Sequence, residues 1–120
     1  MKSLIALALA LSATLAVAEP RRLTGDEIAA ALSGKTAVGE WYGTPYKQYF
    51  SDKGWTVYRA ENSRPEDGNW RADRDRDLYE SYWRRSGWSG YQVLIEGDLY
   101  FWLEPSGQPQ SFTLIDGNQM

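Results

Sequence analysis

The chain has 120 residues, of which 42% are hydrophobic and 24% are charged, and 16 acidic against 13 basic residues give it a net charge of −3. This mildly acidic balance argues against nucleic acid or an anionic membrane as a partner. Neither cysteine nor histidine occurs, which excludes disulfides, a cysteine-linked lipid anchor, a thiol nucleophile and the usual general base.

The first 18 residues have the pattern of an export signal. Lys2 supplies a positive charge, Leu4–Leu15 is almost wholly Leu, Ala and Ile, and a small-x-small cleavage sequence ends at Ala18. The apolar run is shorter than the about 20 residues that a membrane-spanning helix needs. We therefore expect cleavage after Ala18, a periplasmic or secreted protein, and one β-rich domain over residues 19–120 without a transmembrane segment.

A short helix is predicted from Thr24 to Ser33. Thr24 can cap the first turn, and Glu27, three residues later, completes a capping box. Gly34 supplies the residue that ends the helix. The apolar side of this segment is too small for the helix to be stable alone, so it should dock on a sheet.

Strand signals dominate the chain after Gly34. Eight aromatic-rich or β-branched runs are bounded by Gly, Pro, Asp, Asn or Ser, which is typical of short antiparallel strands joined by turns. The predicted strands are Thr36–Tyr42, Tyr46–Phe50, Trp55–Glu61, Asn69–Asp73, Leu78–Arg84, Trp88–Glu96, Leu99–Glu104 and Ser111–Ile115. The expected fold is mainly β: a small antiparallel, lipocalin-like barrel or a curled meander sheet of about eight strands with one short N-terminal helix. We expect Asn62–Gly68 to be a mobile loop and Gly117–Met120 a loose tail.

The hairpin from Leu78 to Glu96 allows its register to be predicted. A turn centred near Arg85 places Tyr82 opposite Trp88 and Tyr79 opposite Tyr91, as two cross-strand aromatic pairs. Alternation then separates two faces, and the face with the more apolar residues should point to the core. The core face comprises Tyr79, Ser81, Trp83, Tyr91, Val93 and Ile95, and the opposite face comprises Glu80, Tyr82, Trp88, Gln92, Leu94 and Glu96.

The next run, Leu99–Leu103, does not alternate between polar and apolar residues. Both of its faces should therefore be covered, in a central strand or in one capped by the helix.

The segment Asp73–Asp77 has carboxylates at alternate positions, as in the first half of a calcium-binding EF-hand loop. Leu78 stands where that loop needs glycine, and Arg84 stands where it needs a bidentate glutamate. We therefore interpret the segment as a charged turn between two strands and predict no metal site.

No catalytic motif is present, and carboxylate pairs such as Glu96 with Asp98 or Glu66 with Asp67 are ordinary turn residues. Most aromatic side chains should lie in the core of so small a domain. Trp41-Tyr42 and Tyr46–Phe50 exceed what one inward face requires, so they are the candidates for exposed stacking surfaces.

Several short motifs give the chain a family resemblance. In order they are Leu23–Ile28, Gly34–Thr36, Tyr49–Gly54, Gly68–Arg71, Tyr79–Trp83 and Gly97–Tyr100. The chain resembles a family of short exported proteobacterial proteins that is classed as a domain of unknown function. The resemblance implies a cysteine pair at the positions that Glu80 and Gly90 occupy here, and it implies no catalytic or binding residues.

Taken together, the sequence predicts a non-enzymatic binding or interaction module without a cofactor, whose partner is a small molecule or an exported protein. Its ligand-binding residues are not assigned, and no residue is predicted to be catalytic or to bind metal. Two alternatives remain open, which are an inhibitor or accessory protein of an exported enzyme and a carboxylate-dependent hydrolase. A ligand binder needs a concave aromatic pocket, an inhibitor needs a protruding rigid loop, and a hydrolase needs two facing acids.

Overall fold

The computed structural model describes residues 19–120, so the predicted export signal and its cleavage after Ala18 lie outside the described residues. In chain order the elements are strand β1 (Arg21–Arg22), helix α1 (Gly25–Leu32), and strands β2 (Lys35–Trp41), β3 (Thr44–Phe50), β4 (Trp55–Ala60), β5 (Glu66–Asp73), β6 (Leu78–Trp83), β7 (Gly87–Glu96), β8 (Leu99–Leu103) and β9 (Gln110–Asp116).

Helix α1 forms where the capping signals predict it. The Thr24 hydroxyl accepts a hydrogen bond from the backbone N–H of Glu27 at 3.2 Å, and the Glu27 carboxylate accepts one from the Thr24 N–H at 2.9 Å. Gly34 follows with a φ of 76°, a left-handed conformation that glycine adopts without strain. Ile28 and Leu32 are fully buried, so the helix is docked as expected.

All eight predicted strands are present, and only their bounds differ. The largest change is in β5, which begins at Glu66 rather than at Asn69 and so takes residues that were assigned to a loop. Strand β1 was not predicted. It pairs Arg21 with Ile95 and Arg22 with Leu94, beside the part of β7 that extends beyond β6.

Strands β2 to β9 form a closed antiparallel barrel, to which β1 adds a ninth strand. Each strand from β2 to β9 pairs with the next one in the chain. The pairing of β2 with β9 closes the ring, with Ala37 opposite Leu114 and Gly39 opposite Phe112. The structure therefore selects the barrel over the open curled sheet.

The register predicted for the β6–β7 hairpin is confirmed, with Tyr82 opposite Trp88 and Tyr79 opposite Tyr91. The inward face is also confirmed at its centre, since Tyr79 and Val93 are buried. Glu80 differs from the simple pattern. It lies on the outward face but is only 7% exposed, because Arg71 and Arg76 hold its carboxylate in ion pairs.

Strand β8 lies between β7 and β9, as a central strand should. Its two faces are not equally covered. Trp102 is buried in the barrel, whereas Leu99 on the outer face is 36% exposed. The expectation that both faces are covered is therefore wrong for the outer face, because closure of the barrel encloses only the inner one.

The tail Gly117–Met120 is not loose as predicted but is held against the outside of the barrel. The Gln119 backbone N–H donates to the Thr36 hydroxyl at 3.0 Å, and that hydroxyl donates to the Gly117 carbonyl at 2.6 Å. Lys47 reaches the Gln119 carbonyl at 3.2 Å. Thr36 is fully buried as a result.

The two ends of the barrel differ. At one end, α1 packs against β2, β5 and β6. A Cβ atom at Gly25 would lie 2.7 Å from the Arg74 Cα, so the helix approaches the β5–β6 turn more closely than any other residue type would allow. The opposite end contains the last residues of β2 and the first residues of β3, and no helix of residues 19–120 packs against it.

Candidate functional site

A cavity of about 890 Å³ opens at the end of the barrel opposite α1. It is lined by the ends of the strands that meet there and by the β6–β7 turn. The lining residues are Trp41, Tyr46, Gln48, Tyr58, Glu66, Asp67, Tyr79, Ser81, Trp83, Arg84, Arg85, Ser86, Tyr91 and Trp102. Seven of these fourteen are tryptophan or tyrosine, so the cavity is a concave aromatic pocket.

The walls of the cavity are built from aromatic pairs. Trp41 stacks on Tyr91 with ring centroids 5.6 Å apart, and Tyr46 stacks on Tyr58 at 5.4 Å. These are separations at which aromatic pairs attract one another. Trp41, Tyr58 and Tyr91 are only half-buried, and each leaves ring surface toward the cavity.

Trp83 owes its position to a glycine on the neighbouring strand. A Cβ atom at Gly68 would lie 2.7 Å from the Trp83 ring and 2.5 Å from the Tyr82 carbonyl oxygen. Only glycine leaves room for the indole here. The Trp83 indole N–H donates to the Ser81 hydroxyl at 3.1 Å, which fixes the orientation of the ring.

The floor of the cavity is polar but uncharged. Tyr46, which is 4% exposed, accepts a hydrogen bond from the Trp102 indole N–H at 2.7 Å. The Gln48 amide nitrogen donates to the Tyr79 hydroxyl at 3.1 Å and to the Thr56 hydroxyl at 2.9 Å. Burial raises the pKa of Tyr46 and of Tyr79 well above the ordinary range of tyrosine, so both hydroxyls are neutral.

This floor retains hydrogen-bonding capacity. Within residues 19–120 the Tyr46 hydroxyl donates to no protein acceptor, and the Gln48 carbonyl oxygen accepts from no protein donor. One O–H donor and one amide acceptor are therefore available to a bound molecule.

The rim carries charges of both signs. Glu66 and Asp67 lie at the start of β5, and Arg84 and Arg85 follow β6. In the described part of the chain, none of these four residues forms an ion pair, whereas six ion pairs form elsewhere. The charges at the mouth are thus free to interact with a ligand.

The pKa values of two tyrosines at the mouth are raised above the ordinary value. Burial raises the pKa of Tyr58, and the charge of Glu66 raises it further. Burial likewise raises the pKa of Tyr91, with the next contribution from Glu104. Glu104 also accepts a hydrogen bond from the Tyr42 hydroxyl at 3.0 Å.

The predicted exposed aromatics fall in different places. Trp41 and Tyr46 line the cavity, Tyr42 is exposed beside it, and Tyr49 packs against Trp55 on the outer surface. Phe50 is fully buried and Tyr46 is only 4% exposed, so the prediction that they form exposed stacking surfaces was wrong for both. Alternation places Phe50 on the inner face of β3, at the end of the barrel where α1 packs.

Trp83 and Tyr91 also line the cavity, although the sequence did not predict it. The sequence predicts that Trp83 and Tyr91 point to the core, and both do point inward. They lie near the open end of the barrel, however, and so line the cavity. On the outer surface of the barrel, the Arg71 guanidinium lies over the Trp88 ring, at 3.8 Å from its centroid.

The Asp73–Asp77 segment is a structural turn. The Asp73 carboxylate accepts hydrogen bonds from the backbone N–H groups of Asp75 and Arg76 at 3.0 and 3.1 Å. Asp77 accepts one from the Gly25 N–H at 2.7 Å, which docks the turn on α1. Over residues 19–120 no group of three or more acidic side chains is arranged to hold a metal ion.

Comparisons of the chain with protein-family models, with curated proteins and with solved structures find no match in any of the three. Among residues 19–120, no helix has the length and apolar character needed to span a membrane.

Proposed function

We propose that this protein is a non-enzymatic module that binds a small molecule in the mouth of its barrel. The observation that carries the proposal is the cavity of about 890 Å³, half of whose lining residues are tryptophan or tyrosine. Ligand sites are characteristically concave, mostly apolar clefts of roughly 300–1,000 Å³ with a few convergent polar groups. An eight-stranded barrel can hold one small ligand inside, so the arrangement is lipocalin-like in this respect.

The arrangement of acids favours binding over hydrolysis. The carboxylates in the lining are Glu66 and Asp67, which are consecutive residues of β5. Consecutive strand residues point to opposite faces, so these two do not form a facing pair across a substrate.

Native mass spectrometry of the protein purified from its own host tests the proposal. We expect a bound small molecule in the wild-type protein and in Trp55→Ala, whose ring lies on the outer surface. Trp41→Ala removes one cavity wall and should weaken retention by at least about fivefold, since an aromatic contact contributes roughly 1 kcal/mol beyond burial. Equal retention in the two variants would place the ligand elsewhere, and a protein that carries and binds nothing would overturn the proposal.

The proposed location is the periplasm or the exterior, in keeping with the resemblance to exported proteins. The pattern of Leu4–Leu15 followed by Ala16 and Ala18 supports it. An intact-mass measurement on exported protein should give a chain that begins at Glu19. A mass that includes Met1 would contradict it.

A further inference from the structure

The chemistry of the cavity restricts the class of ligand. The lining contains tryptophan and tyrosine but no phenylalanine and no aliphatic side chain. A cavity for a fatty acid or another hydrocarbon chain would be expected to use aliphatic side chains, which pack against methylene groups without polar atoms. Tryptophan and tyrosine instead present ring faces of negative electrostatic potential, which attract organic cations.

One side of the mouth strengthens that negative potential. Glu66 is paired directly with Tyr58 across β4 and β5 and lines the cavity beside it. Glu66 takes part in no ion pair within the described chain. A cation held against the Tyr58 ring would therefore meet a carboxylate that no protein cation neutralises.

A second part of the rim has the opposite charge. Arg84 and Arg85 line the cavity next to Trp83, and each is likewise without an ion-pair partner among residues 19–120. Guanidinium groups bind carboxylates and phosphates through paired N–H donors. A purely cationic ligand would leave these two arginines unused and would be repelled by them.

We infer that the ligand is a small organic zwitterion, whose ammonium group contacts the faces of Trp41, Tyr58 and Tyr91 and whose anionic group binds Arg84 and Arg85. This inference rests on the proposed binding function. It assigns the aromatic walls to the cation and the β6–β7 turn to the anion, so each end of the ligand has its own test.

Titration of the purified protein with four probes tests the class of ligand, with tryptophan fluorescence and calorimetry as readouts. Glycine betaine is the zwitterion, choline lacks its carboxylate, and 3,3-dimethylbutan-1-ol is the neutral carbon isostere of choline. Decanoate represents the hydrocarbon chain. We expect glycine betaine to bind most tightly. Choline should bind at least about tenfold more tightly than its neutral isostere, because the isostere loses a desolvated cation–π contact.

Variants assign the two ends. Tyr58→Leu keeps an apolar side chain but removes the ring, so it should weaken choline and leave 3,3-dimethylbutan-1-ol nearly unchanged. The double variant Arg84→Ala/Arg85→Ala should weaken glycine betaine at least about tenfold while choline binds as well as before or better. Arg59→Ala, on the exposed outer face of β4, should change neither.

The results of these titrations distinguish a wrong ligand class from the absence of a binding function. Equal affinities for choline and its isostere, or tighter binding of decanoate, would overturn the zwitterion while the cavity remained a binding site. Binding of choline that is as tight as that of glycine betaine would overturn the role of the arginines. A protein that carries no ligand from its host and binds none of the four probes would overturn the binding function. The probe comparison uses wild-type protein, so it stands even if Tyr58→Leu does not fold.

Discussion

Glu80 and Gly90 face each other across β6 and β7, and a Cβ atom at Gly90 would lie 3.4 Å from the Glu80 Cγ. Directly opposed residues of an antiparallel pair have Cα atoms about 4.5 or 5.5 Å apart, and both values fall within the range that a disulfide spans. The Glu80 carboxylate forms ion pairs with Arg71 and Arg76 at this point of the sheet.

We predict that Glu80→Cys/Gly90→Cys forms a disulfide in an oxidising compartment. Chain entropy for a loop of this length predicts a gain of about 2.5–3 kcal/mol, measured as the difference between the oxidised and reduced forms of the same variant in urea. Both forms lack Glu80, so the loss of its ion pairs does not contribute to the difference. Glu80→Cys/Gln92→Cys is the control, because a diagonal pair is separated by about 7–8 Å and should stay reduced. Two free thiols in the first variant would contradict the register.

The cap of α1 gives the second prediction. Thr24→Ala removes the hydroxyl that accepts from the Glu27 N–H, so unfolding in urea should show a loss of roughly 0.5–2 kcal/mol. Thr24→Ser keeps the acceptor and should stay close to wild type. Thr113→Ala is the control, because it removes a threonine that caps no helix, at an exposed position of β9. Its unfolding in urea gives the effect of a Thr→Ala change alone. A midpoint for Thr24→Ala that equals that of Thr113→Ala would mean that the cap contributes nothing.

The β5–β6 turn gives a prediction about pH. A hydrogen bond and ion pair with Arg76, with help from two backbone N–H groups, lower the pKa of Asp73 below its ordinary value of 3.8. A carboxyl whose pKa is lowered on folding stabilises the fold above its unfolded pKa, and this contribution is lost as the pH falls through the folded pKa. Asp73→Asn should therefore be less stable than wild type near neutral pH, and the difference should shrink as the pH falls below 3.8, through the lowered pKa of Asp73. A difference that does not vary with pH would show that the charge of Asp73 is not responsible.

How much of this fold could be predicted depends on how local its causes are. The cap at Thr24 and the turns between strands are set by residues within a few positions, and the sequence shows them directly. The β6–β7 register follows from two aromatic pairs that oppose each other. Strand β1 has no such signal, because Arg21 and Arg22 pair only with the extension of β7.

The cavity could be predicted only in part, for a physical reason. Alternation gives the direction of a strand side chain but not its depth along the barrel axis, which depends on the tilt and stagger of all the strands together. Phe50 and Tyr46 both point inward from β3 and both are buried, yet only Tyr46 lines the cavity. The contact that holds the C-terminal tail is also non-local, because Gln119 binds Thr36, which lies more than eighty residues earlier in the chain.

The last prediction concerns the floor of the cavity. The Trp102 indole N–H has the Tyr46 hydroxyl as its acceptor at 2.7 Å, and both residues are buried. Tyr46→Phe removes that acceptor but keeps the ring, so a buried donor is left without a partner, which costs roughly 1–3 kcal/mol. The urea midpoint should fall accordingly, without a change of slope.

Tyr49→Phe is the matched control for this change. Tyr49 lies three residues further along the same strand and points outward, where its ring packs against Trp55. Removal of its oxygen should change the free energy of unfolding by less than about 0.5 kcal/mol. Tryptophan emission adds a second readout. A Trp102 indole that loses its acceptor should report a changed environment in Tyr46→Phe and none in Tyr49→Phe. If both variants melt with wild-type midpoints, the Trp102 N–H has found another acceptor, and the polar floor of the cavity is arranged differently from the one described.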